Sequence, residues 1–172
     1  MKLARLNKAD GSWETLDNQW KREFEAYEDD YSSYAQASLG TLRDQCDNGD
    51  ASGDTGVFAL IDCEKRIHAA SFLNNTLLKG FDGKVLRVRH LILSPYYDFE
   101  ELQLEDYGSI LADYFVSLIE CSDSVMKSQH IKIHYRSPYD RTFFASFGMT
   151  MRSAGRFQTV ASKGMWLHLT KP

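Results

Sequence analysis

The sequence predicts an α/β chain (α+β in stricter usage), with a mixed, mostly antiparallel sheet of about seven strands and about four flanking helices. Three observations predict it. Short apolar or alternating runs, bounded by turn residues, recur along the chain, and the densest places Val85, Val88, Leu91, Ile92 and Leu93 just before Pro95. Two stretches carry apolar residues at steps of three and four instead: Trp13 to Tyr34, and Ile110, Leu111, Tyr114, Phe115, Leu118 and Ile119. Their order along the chain interleaves the two kinds of element, which calls for helices packed on one sheet.

Taken in order, Lys2 to Asn7 is a short strand closed by Asp10-Gly11. Ser12 is placed to N-cap a helix, with Glu14 complementing its dipole. The stripe of Trp13, Leu16, Trp20, Phe24, Tyr27, Tyr31 and Tyr34 predicts a long helical region broken near Asp29 to Ser33. Its second part carries Ala37, Leu39 or Leu42 inward and ends near Asn48-Gly49. Asp47 to Gly56 is a polar, Gly-rich loop. Val57 to Cys63 and Ile67 to Asn74 read as a hairpin about Glu64-Lys65-Arg66, and Phe81 to Lys84 turns the chain into an antiparallel strand, Val85 to Ser94. After an acidic, aromatic loop a helix begins at Gly108 and ends near Ser122 to Ser128. His130 to Tyr135 alternates as a strand, and Pro138 opens a helix that Gly148 would stop. Met149 to Ser153 and Met165 to Thr170 would form a closing hairpin.

The bulk numbers narrow the function classes. A chain of 172 residues falls in the usual range for one domain, so residues 1–172 are expected to form a single unit. A net charge of −4 argues against general nucleic-acid binding, which needs a basic face. The charge is uneven: Ser12 to Asp50 holds ten acids against three bases, and Met126 to Pro172 eight bases against one acid. Solvated faces of opposite sign explain this; so does an acidic mouth for a cationic acceptor beside a basic wall for an anionic cofactor. Cys46, Cys63 and Cys121 lack C-x-x-C spacing, fitting reduced thiols in a cytoplasmic protein and no metal site. No run is apolar enough for a signal peptide or a membrane span.

A strand, a loop and a helix starting at Gly can present backbone N–H groups to an anion. Here the loop and helix start contain Gln103-Leu104-Glu105-Asp106-Tyr107-Gly108-Ser109, and the last predicted helix contains Phe143-Phe144-Ala145-Ser146-Phe147-Gly148. With Leu93-Ser94-Pro95 ending the central strand, these segments and the element order resemble the GNAT superfamily of acyl-CoA-dependent N-acyltransferases over nearly the whole chain. The family's pyrophosphate loop reads Gln/Arg-x-x-Gly-x-Gly/Ala. Gln103 and Gly108 match it, and Asp106 stands where its first Gly would be. Phe144 stands where many members carry the Tyr that protonates the departing thiolate, and Ser137 where an Asn is frequent.

The resemblance implies a GNAT-like fold and transfer of an acetyl or related acyl group from CoA to a primary amine on a small molecule or protein, with no metal. It implies cofactor contacts from Leu91, Ile92, Leu93, Gln103, Asp106, Tyr107, Gly108, Ser109 and Phe144. Backbone N–H groups at Leu91 to Leu93 would polarise the thioester carbonyl. His90 could take the amine proton, as could Glu28 or Asp29 from the first helices; Tyr139 and Tyr135 are the hydroxyls that could replace the missing acid. Tyr27, Glu28 and Tyr31 could line the acceptor pocket, the alternative being that the aromatic stripe is core. Arg87 and Arg89 alternate with Leu86 and Val88, so one face of the central strand is partly polar or covered by a cofactor. Cys63 and Cys121 lie in apolar runs and read as inert thiols. His68, His90, His130, His134 and His168 are dispersed. A GNAT-fold binding or structural module without transferase activity is the other reading, fed by Asp106 and Phe144. Monomer and homodimer are both open, and no nucleic-acid or membrane partner is expected.

Overall fold

Strand β1 (Lys2–Arg5) pairs antiparallel with β2 (Thr55–Ile61), β2 with β3 (Ile67–Leu77), and β3 with β4 (Lys84–Leu93). The next step is parallel, β4 to β5 (His130–His134), and the hairpin of β6 (Thr159–Lys163) and β7 (Trp166–Thr170) completes the order β1-β2-β3-β4-β5-β7-β6. A parallel step needs a crossover, and the apolar stripe of α5 (Leu104–Asp123) supplies it. These coordinates come from a computed structural model, which describes residues 1–27, 30–47, 53–99, 104–135 and 138–172.

Two cores sit on opposite faces of the sheet. On one, α5 and α6 (Pro138–Ser153) bring Ile110, Tyr114, Phe115, Leu118 and Phe144 against Leu86, Val88, Ile131, Ile133 and Leu167. On the other, α1 (Ser12–Glu25) and the later helical stretch bring Trp13, Leu16, Trp20, Leu39 and Leu42 against Val57, Ala59, Ala70 and Ile92. Leu16, Trp20, Leu39 and Leu42 are fully buried. Burying an aliphatic side chain of that size stabilises the fold by about 1.5–3 kcal/mol. No residue of β5, β6 or β7 belongs to this second core, so its helices cover only the β1–β4 half.

The break near residue 30 is where it was expected. α1 ends at Glu25; α2 (Tyr31–Tyr34) follows, then a π-helical segment (Ala35–Leu39) and α3 (Gly40–Asp47). Asp30 caps α2 by accepting the Ser32 N–H at 2.9 Å. Ser12, by contrast, is the first helical residue. Gly11, at φ 78°, occupies the cap position, and the Ser12 hydroxyl accepts the Asn7 N–H at 2.7 Å. α1 is tied to the sheet by Gln19, whose amide accepts the Ile67 N–H and donates to the Ile67 carbonyl, both at 2.9 Å.

Three expectations are corrected. Helix α5 begins at Leu104, a turn before Gly108, and a one-turn α4 (Tyr96–Phe99) precedes it. Helix α6 does not stop at Gly148 but runs to Ser153, so Met149 to Ser153 is helical and Thr159–Lys163 is the partner of β7. The reason is packing. A Cβ on Gly148 would stand 3.0 Å from Val160 Cγ1, so the missing side chain lets α6 approach the hairpin closely. Phe144, Phe147 and Met151 continue the inward stripe past the glycine, and their burial outweighs the stop signal.

Candidate active site at the mouth between β4 and β5

The parallel pairing of β4 with β5 runs only from Val85↔His130 to Val88↔Ile133. Beyond it β4 continues to Leu93, while the end of β5 stays with β7 through His134↔Trp166 and the Tyr135 N–H donated to the Met165 carbonyl at 2.9 Å. The two strands therefore part at their carboxyl ends. That is where a crevice forms in sheets with parallel neighbours.

A bulge accompanies the parting. Ala70 faces Ile92 and Phe72 faces Arg89, so His90 and Leu91 together stand opposite Ser71. His90, the first of the two, carries a left-handed φ of 51°, as the first residue of a G1-type bulge does. The extra residue exchanges the faces of β4. Before it Leu86 and Val88 enter the α5–α6 core; after it Leu91 and Leu93 do, and Ile92 joins the other core. A bulge bends its strand and increases its twist, which accounts for the separation from β5.

The expected site residues distribute unevenly about this mouth. His90 is exposed on the bulge, Leu91 is half-buried, and Ile92 and Leu93 are buried. Asp106, Tyr107, Gly108 and Ser109 lie in the first two turns of α5, of which Asp106, Tyr107 and Ser109 are exposed. Gly108 is in ordinary contact distance of Phe143, at 3.8 Å for an added Cβ. Phe144 is a core residue, 2% exposed. Tyr135 is fully buried; its hydroxyl is 2.9 Å from Ser162 Oγ, and burial raises its pKa above the ordinary tyrosine value. Tyr139 lies in the first turn of α6. Tyr31 donates its hydroxyl to Asp17 at 2.7 Å and lies tilted against Phe24 and Tyr34, and burial raises its pKa. Tyr27 is exposed beyond the end of α1. Gln103, Glu28 and Asp29 lie outside the described residues.

One polar chain was not visible in the sequence. Asp62, a carboxylate and so an acceptor only, receives the Nε2–H of His68 at 2.9 Å; Nδ1 then accepts the Tyr97 hydroxyl at 2.5 Å. The His68 hydrogen bond holds the Asp62 carboxyl below its ordinary range, and burial pushes Tyr97 up to about 12. Beside it Ser94 donates to Glu23, Arg66 pairs with Glu23 at 3.5 Å, and the Arg66 guanidinium covers the Tyr96 ring at 4.1 Å. The network joins α1, β3 and α4 at the end of β4. Spacings of six and twenty-nine residues between its members follow no local period. The only signal was a histidine flanked by apolar residues.

Among the described residues no group of three His, Cys, Asp or Glu side chains is placed to hold a metal. No helix among them is long and apolar enough to cross a membrane.

No protein-family model matches the chain, and no curated protein matches its sequence. Solved structures similar in fold include a histone acetyltransferase HPA2 and related acetyltransferase from Corynebacterium glutamicum, 11% identical, covering 99% of this chain and 95% of that one at a TM-score of 0.47. A mutant of the BH1408 protein from Bacillus halodurans is 15% identical, with 95% and 98% covered at 0.41. FeeM, an N-acyl amino acid synthase from uncultured soil microbes, is 10% identical, with 98% and 93% covered at 0.41. At these scores no residue role transfers from them. The seven-stranded mixed sheet, with helices on both faces and one parallel step at β4–β5, gives the chain the GNAT-like α/β fold that the resemblance implied.

Proposed function

We propose that the chain is a divergent GNAT-superfamily enzyme, a single cytoplasmic domain that transfers an acetyl or related acyl group from CoA to a primary amine. The observation that carries this reading is the bulged, parted end of β4. Past Val88, where its pairing with β5 ends, the Leu93 N–H alternates away from β3 and can be offered to a thioester carbonyl, and such a donor stabilises the charge that develops there as the amine attacks. The first turn of α5 lies after the same strand, and a helix start offers N–H groups to phosphate. His90 is exposed at the bulge, so it can take the amine proton directly or through water. Tyr139 is the hydroxyl proposed to return a proton to the thiolate, since Tyr135 is sealed against Ser162.

Two observations favour the second reading, a GNAT-fold module that binds without transferring. Phe144 supplies no hydroxyl and is spent in the core, and Asp106 places a carboxylate on the first turn of α5. Calorimetric titration of acetyl-CoA separates the two. The transferase reading expects micromolar binding, abolished by Gly108→Val, followed by turnover in an amine screen. No binding at millimolar acetyl-CoA would sink it.

A further inference from the structure

The half of the second sheet face beyond the second core, where the Phe81 ring packs 6.0 Å from His168 and 5.8 Å from the Lys132 ammonium, carries a cluster of cations that the reaction described above does not use. Strand register sets Arg87 directly beside Lys132, and Lys132 directly beside His168. In the adjacent row Trp166 pairs with both His134 and Lys163, and Arg89 extends the same face toward the bulge. Trp166 is the floor of the cluster: its ring lies 4.9 Å from the Lys132 ammonium and 5.5 Å from the Arg89 guanidinium.

Like charges directly opposite on a sheet destabilise it. The six ion pairs among the described residues involve none of Arg87, Arg89, Lys132 or Lys163. Arg87 has the amide oxygen of Asn74 as its neutral partner, and the Arg89 Nε is buried without a hydrogen-bond partner. The crowding registers on the groups themselves. Burial, then Arg87, Lys163 and Arg89, lowers the Lys132 pKa; burial, then Lys132 and Lys163, lowers that of His168. An anion seated over Trp166 would relieve all of these repulsions at once.

We infer that this face binds the anionic group of the acceptor, a carboxylate or phosphate carried on the same molecule as the amine. The inference rests on the acyl-transfer reading, because the patch gains its role from lying beside the bulge: Arg89 immediately precedes His90, and its guanidinium is held on the sheet face by Trp166. The acidic first third of the sequence suggested a cationic acceptor; the cations of this face select an amine that also bears negative charge.

The test reads binding at the face without turnover. Isotope-labelled protein is titrated at constant ionic strength with inorganic phosphate, with phenylalanine, and with phenylalaninamide, which lacks the carboxylate. The expected result is saturable shifts of the Trp166 indole and the Arg87 and Arg89 side-chain signals with at least one anionic probe and none with the amide. Arg89→Ala with Lys132→Ala weakens that binding at least about tenfold, as loss of charged hydrogen bonds should. Acetyl-CoA affinity and the thermal melt of the double variant serve as its folding controls. Tighter phosphate than carboxylate binding would assign a phosphorylated acceptor, and the reverse order a carboxylic one. No saturable shift with any anion, or unchanged binding in the double variant, overturns the inference. Displacement of the bound anion by acetyl-CoA also overturns it, by giving the face to the co-substrate. Anion binding without any acetyl-CoA binding removes the transferase reading instead, and with it the acceptor assignment.

Discussion

Two glycines near the proposed site have opposite roles. Gly108 and Gly148 both lie inside helices. An added Cβ at Gly108 meets Phe143 at 3.8 Å, an ordinary contact, so Gly108→Ala should stabilise the protein by about 0.5–1 kcal/mol through helix propensity. At Gly148 the Cβ meets Val160 at 3.0 Å with Leu167 and Leu169 close behind, so Gly148→Val, whose propensity gain is smaller, should destabilise by about 1–3 kcal/mol. Urea unfolding of both variants checks the pair; equal shifts would refute the close approach of α6 to the hairpin. Tyr135 makes the same point for function. Its position at the end of β5 marked it as a substitute acid, and only its burial against Ser162 removes its hydroxyl from the mouth.

At the scale of elements, β4 decides the site. Its apolar run was legible in the sequence, as were the Pro95 that stops it and the polar alternation at Arg87 and Arg89. The bulge was not, because an αL position is usually announced by Gly or Asn and here the residue is His90. A β-branched side chain suits that conformation least. His90→Val should therefore cost about 1–3 kcal/mol, and His90→Asn far less. Chemical denaturation measures this directly, since His90 is exposed and little burial is lost with its ring. Equal stability of the two variants would mean that the strand does not need its bulge. Helix α6 shows the converse failure: a glycine stop signal was overridden by an apolar stripe that continued beyond it.

For the molecule as a whole, β2, β3 and β4 contribute residues to both cores, so neither layer of helices can leave without exposing a sheet that the other needs. The chain should then unfold in one transition. Trp13 and Trp20 report the second core and Trp166 the uncovered face, so their fluorescence and the far-ultraviolet circular dichroism should lose structure at one denaturant concentration. Separated midpoints would divide the chain and count against the single-domain proposal. The same architecture gathers part of the uneven charge. The bases of the last third are not spread over a solvated face alone: Lys132 and Lys163 join Arg87 and Arg89 where no helix among the described residues covers the sheet.

By itself the sequence determined the fold class, most of the strands and long helices, and much of what they bury, Tyr27 and Ala37 being exposed exceptions. Those follow from periodicity and turn chemistry, which act over a few residues at a time. It also carried the segments that resemble an acyl-CoA-dependent transferase. Only the tertiary structure decided that β4 bulges and parts from β5, that Tyr135 and Phe144 are enclosed, and that Asp62, His68 and Tyr97 form one chain. It alone gathered Arg87, Arg89, Lys132 and Lys163 around Trp166. The bulge and the cation cluster depend on register between strands distant in sequence, the rest on how helices and loops pack on them, and a local pattern holds no record of which element will become its neighbour.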